Sequence, residues 1–176
     1  MGNNTVMEWV IPAHAVGATI ALVLGGYNLR RRPKGDRPHR RVGRIWVVAM
    51  YWTVLSSFAI KQIRPGHYSW IHALSVFTLV TLTIGLWAAL THRVRLHRQF
   101  ITGSYLGLVG AFVGAVAVPT RQIPQWAMHQ PVGLALAGAG CVLVAATLIA
   151  LSRRSDHRTQ KRRTAARNST LTAPRQ

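Results

Sequence analysis

Five apolar runs of about 20 residues, each the length an α-helix needs to cross roughly 30 Å of hydrocarbon, leave this chain few architectures to choose from. They fall at about 10–29, 42–63, 70–91, 99–118 and 132–151. The expected fold is an all-α polytopic transmembrane bundle, a four-helix core with a fifth, C-terminal span. Residues 1–151 then form the bundle and 152–176 a basic cytoplasmic tail.

Charge tests this reading. The chain holds 22 Lys and Arg against three acidic residues, a formal net charge of +19 that would suit either a polyanion binder or a membrane protein. Placement separates the two. Seven arginines and one lysine sit between Leu29 and Arg44, three arginines between Arg93 and Arg98, and eight basic residues from Arg153 onward. Connectors rich in Lys and Arg stay on the cytoplasmic side and meet anionic lipid heads there. Counting spans from the first connector puts all three clusters on one side, with the N-terminus outside and the C-terminus in the cytoplasm of a plasma-membrane protein. Anionic lipid is the expected partner of the connectors and tail. No motif or aromatic pattern supports specific nucleic-acid binding.

The first residues, MGNNTVMEWVIPAH, lack the positive start of a secretory signal, so the first run reads as a permanent span. Trp9, Tyr68, Trp70 and Trp126 fall near the outer interface, and Tyr27 and Trp46 near the inner one. Gly103, Gly107, Gly110 and Gly114 share one helical stripe, and Gly17, Ala21 and Gly25 form a narrow track in the first span. Such stripes chiefly let another helix approach closely, and less often a flat cofactor. Beyond 151 the chain holds almost no apolar residues, so a tail without regular structure is expected.

Chemistry has few candidates. The single cysteine, Cys141, reads as a small apolar packing residue. Glu8, Asp36 and Asp156 are the only acidic residues and none lies within a span, which excludes relays of buried carboxylates. Ser56, Ser57, Thr81 and Thr83 suit hydrogen bonds between helices. Four histidines recur at corresponding places: His14 early in the first span, and His39, His72 and His97 where the second, third and fourth begin. With alternating helix directions, His14 and His72 lie toward one face and His39 and His97 toward the other. In an up-down bundle the first and third helices face each other diagonally, as do the second and fourth. Two opposed imidazoles at one depth are what the iron of a b-type haem requires. The track beyond His14 is small enough for a porphyrin, whereas Ile101, Ser104 and Leu108 follow His97, so the outer pair is the better expectation. A haem would make this an electron-transfer protein with a quinone or redox partner. The rival is a cofactor-free scaffold or permease subunit whose histidines only anchor helix ends.

The segments PHRRVGRIW, SSFAI, HYSWIHALSVFTLVTLTIGLWAA and LHRQFITGSYLGLVGAFVGAVAVPTR resemble the bacterial membrane proteins grouped as domain of unknown function 2306, over about His14 to Arg121. The resemblance implies a four-helix membrane core without an established activity, to which the fifth span and tail are additions. The histidine layout is also similar to that of the ascorbate-reducible transmembrane cytochromes b, in which four helices hold two haems. That likeness implies iron-ligand roles for His14, His72, His39 and His97.

Overall fold

The computed structural model describes residues 2–60, 70–117 and 128–171, with side chains at 9–60, 73–117 and 128–154. Five long helices result: α1 (Gly2–Arg30), α2 (Arg37–Ala59), α3 (Trp70–Leu90), α4 (Val94–Ala117) and α5 (Pro131–Leu171). Each contains a stretch long and apolar enough to span a membrane, the shortest being Ala73–Leu90. Tyr68 and Trp126 lie outside the described residues, as does the side chain of Trp70.

Four helices extend past the apolar runs: α1 from Gly2 and α4 from Val94, and α2 and α5 for identifiable local reasons. α2 starts inside the basic connector because Asp36 caps it: the His39 backbone N–H donates to Asp36 Oδ1 at 2.9 Å. Pro38 falls in the first turn, where a missing N–H costs nothing. α5 continues through Leu171, against the expectation of a tail without regular structure. No glycine or proline occurs between Gly140 and Pro174, and the segment is rich in Arg and Ala, both good helix formers.

The Asp36 cap is also an ion pair. Both carboxylate oxygens accept from the Arg31 guanidinium, and the second bond, to Nη2, measures 2.6 Å. Arg31 beside it holds the Asp36 carboxyl below the usual carboxylate range, with the His39 N–H acting in the same direction. A depressed value means that the stabilisation is complete above roughly pH 4 and is lost as pH falls through the folded-state value. Asp36→Ala should therefore cost about 1–2 kcal/mol at pH 7. Thermal melts in detergent should show the gap between variant and wild type closing below pH 4.

The helices form a ring. α1 packs on α2, α2 on α3, α3 on α4, and α4 closes back on α1, while α5 lies outside against α1 and α2. Among the described residues no α-carbons of α1 and α3, or of α2 and α4, come within 8 Å, so these pairs are the diagonals. Ala21, Leu24, Val42, Met50 and Leu82 are almost fully buried between the helices. Trp46 belongs to this core at 3% exposure, rather than to the interface where the sequence places it. The ring faces Gly25, whose missing side chain leaves it room.

Hydroxyls tie the ring together. Ser57 Oγ and Ser75 Oγ lie 2.7 Å apart between α2 and α3, as do Tyr51 and Thr83 at 2.9 Å; Thr81 and Ser104 join α3 to α4 at 3.1 Å. Tyr105 of α4 donates to the Leu22 carbonyl of α1, and Trp52 Nε1 of α2 to the Ala13 carbonyl. In lipid, where apolar burial does little to hold helices together, such bonds and close packing are the available glue.

The basic clusters meet at one end of the bundle. Lys34 is within electrostatic reach of Arg98, and Arg153 Nε donates to the Tyr27 hydroxyl at 2.8 Å, so both connectors and the Arg153 region of α5 share a face. The α3–α4 turn at this face is tight. Arg93 N–H bonds the Ala88 carbonyl and His92 N–H the Ala89 carbonyl, with His92 at φ 59°, the left-handed cap that lets α4 return along α3.

Candidate histidine site at the basic end

Three of the four histidines, His14, His39 and His97, have described side chains. His14 turns toward the neighbouring helix α2: its Nδ1 lies 2.9 Å from Ser56 Oγ, with the Thr53 carbonyl also in reach. Ser56 itself donates to the Trp52 carbonyl at 2.7 Å, so its oxygen accepts and His14 Nδ1 carries the proton. His72 lies in the first turn of α3, and its side chain is outside the described residues.

The small-residue track in α1 is occupied as well. A Cβ on Gly17 would sit 2.5 Å from Trp52 Cδ1, and one on Gly25 2.5 Å from both Trp46 Nε1 and Tyr105 Cδ2. Aromatic rings from α2 and α4 fill the space that the sequence offers to a porphyrin. The stripe on α4 is different again: nothing lies within 4 Å of a Cβ built on Gly103, Gly107, Gly110 or Gly114, so it faces away from the bundle.

At the basic end the arrangement is more suggestive. His39 on α2 and His97 on α4, diagonal helices, lie within electrostatic reach of one another. His97 Nδ1 is 2.9 Å from the Gly85 carbonyl of α3. A carbonyl only accepts, so Nδ1 donates, and the neutral ring keeps its Nε2 lone pair for something else. His39 Nδ1 is buried with no hydrogen-bond partner. Two more buried atoms are orphaned nearby in the fold, Asn28 Oδ1 and Trp46 Nε1. His39, Val42 and Trp46 recur at helical spacing along α2, and Asn28 reaches across from α1 to the His39 carbonyl at 3.3 Å. Buried polar groups without partners are rare in folded proteins and call for a ligand, water or ion. Asn28 and Trp46 were not candidates from sequence; only the shared face with His39 links them.

Elsewhere there is little to assemble a site. His92 and His129 are exposed, while His67 and the side chain of His157 lie outside the described residues. Among the described residues no three of His, Cys, Asp and Glu converge on a metal position. Cys141 is buried and free, as its apolar setting suggests.

Five spanning helices, a four-membered ring and a basic face define a polytopic integral membrane protein. The chain belongs to the family described as a predicted membrane protein, domain of unknown function 2306, whose model matches residues 11–152. That match takes in the fifth span, so the span belongs to the family's fold and is not an addition to a four-helix module. No curated protein and no solved structure matches the chain.

Proposed function

We propose that the protein is a membrane electron-transfer component whose basic end would hold one b-type haem through His39 and His97. The observation that carries this reading is the state of two imidazoles on diagonal helices within electrostatic reach, His97 with its Nδ1–H on the Gly85 carbonyl and His39 with a buried ring nitrogen lacking a partner among the described residues. A haem bound there would supply one-electron redox chemistry. The Gly85 carbonyl fixes the His97 tautomer and ring direction, the role such partners play behind metal ligands. Lys34, Arg31 and Arg98 surround the pair with positive charge, suited to acidic edges of a bound group or of a redox partner. The basic face is read as cytoplasmic from its arginine content, and a quinone or redox protein is the partner class this reading requires. Nothing comparable supports a second haem at His14, whose ring is engaged with α2.

The rival reading is a cofactor-free membrane module. It is favoured by the packing of the bundle interior, where Leu24, Val42, Met50 and Leu82 are almost wholly buried. Optical spectra of the detergent-purified protein, expressed with ample haem and recorded oxidised and dithionite-reduced, separate the two. A sharp reduced α-band at about one haem per chain is expected. A colourless protein would leave the packing module as the function.

A further inference from the structure

Among the described residues, positive charge at the basic end outnumbers the carboxylates that could neutralise it. Between the inner ends of α1 and α5 lies a recess of about 360 Å³ walled by Tyr27, Arg30, Arg31, Arg32 and Arg153. Among the described residues only Arg31 of these four guanidiniums has a carboxylate, and Asp36 places both oxygens on it. Arg30 and Arg32 make no ion pair among the described residues. Arg153 is steadied by the Tyr27 ring, 5.2 Å from its centroid, and by Nε donation to the Tyr27 hydroxyl, which leaves both Nη amines for another acceptor. Neighbouring Lys34 is pushed below its ordinary range, first by burial and then by Arg32, Arg98 and Arg31. Guanidiniums gathered around one opening match phosphate oxygens, which they hold by paired N–H bonds.

We infer that this α1–α5 recess binds the phosphate of an anionic phospholipid. The surroundings select a lipid over a free ion. Arg30 and Arg154 end the apolar stretches of α1 and α5, so the recess opens at the depth of the headgroups. On the other side of α5, Ile45, Leu148 and Leu151 floor a second groove, with Arg41 and Arg44 on its rim. Leu151 is 56% exposed, apolar surface of the kind an acyl chain covers and inorganic phosphate does not. The ends of the apolar stretches of α1 and α5 thus set these guanidiniums at the hydrocarbon edge, where a lipid phosphate sits.

Native mass spectrometry of the full-length protein in detergent tests this, with dioleoylphosphatidylglycerol, dioleoylphosphatidylcholine and inorganic phosphate as separate additions. Wild type should retain phosphatidylglycerol in preference to phosphatidylcholine. R30Q/R32Q should lower phosphatidylglycerol retention by about 10-fold. R40Q/R95Q removes the same charge from exposed positions outside the recess. It should change retention by less than about 2-fold at ~0.15 M salt, where diffuse attraction is screened. Circular dichroism of both variants should match wild type, since all four side chains are exposed. Equal losses in the two variants would reduce the effect to general surface charge and overturn the site. Equal retention of the two lipids, or full displacement of phosphatidylglycerol by about 10 mM phosphate, would overturn the lipid assignment.

Discussion

Gly25→Leu is expected to lower the melting temperature of the detergent-solubilised protein by roughly 10 °C, from a loss of about 3 kcal/mol or more. The position is held from two sides. A Cβ there would approach Trp46 Nε1 and Tyr105 Cδ2 at 2.5 Å and Tyr105 Cε2 at 2.8 Å. Neither ring has an easy escape: Trp46 is 3% exposed, and Tyr105 is tethered by its hydroxyl to the Leu22 carbonyl. Relief would require α2 or α4 to move off α1, opening the same seam that buries Ala21 and Leu24. Gly107→Leu is the matched control, since nothing lies within 4 Å of a Cβ at Gly107. Its effect should stay within about 0.5 kcal/mol. If both variants melt with the wild type, the α1 track is not where the bundle is locked.

The second large effect concerns the histidines. His97→Ala should abolish the reduced α-band, and His39→Ala should do the same, because on this reading both imidazoles would be needed to hold a b-type haem. His14→Ala should leave the band intact. A two-haem arrangement predicts a different result, in which His14→Ala removes about half of the bound haem. His97→Ala also loses the bond to the Gly85 carbonyl, costing about 1 kcal/mol of stability, so the loss of colour must be separated from unfolding. His97→Gly with added imidazole makes that separation. Return of the band on addition assigns the lost signal to ligation, whereas persistent absence in a folded protein removes His97 from the site.

The arginine clusters also explain how much of this architecture is open to a reader of the chain alone. Hydrocarbon thickness sets a fixed length for a spanning helix, and the cost of moving arginine across lipid fixes which connectors share a face; both are local quantities written in residue order. The five helices and the meeting of Lys34 with Arg98 and of Arg153 with Tyr27 follow from them. So do the inter-helix hydroxyls, since Ser57, Thr81 and Thr83 have few partners in a bundle other than one another's helices. Asp36, the one acidic residue among the arginines of the first connector, similarly foreshadows its bond to Arg31.

Helix rotation is another matter. Spacing alone places His14 beside a small-residue track and gives His97 bulkier neighbours, which favours the outer pair. The rotation of each helix about its axis depends on how all the side chains interlock, and that is a property of the assembled bundle. Trp52, Trp46 and Tyr105 fill the track and His14 faces Ser56, while His39 and His97 lie within electrostatic reach at the other end. The same cause sends the α4 glycines outward and Trp46 inward. The sequence by itself determined the number of spans, their alternation and the pooling of charge on one face, because bilayer thickness and charge transfer act on each segment separately. Tertiary structure alone decided which neighbour His14 and His97 bond, which glycines are filled and where the arginines of α1 and α5 line a recess, because those depend on distances between segments that no single segment encodes.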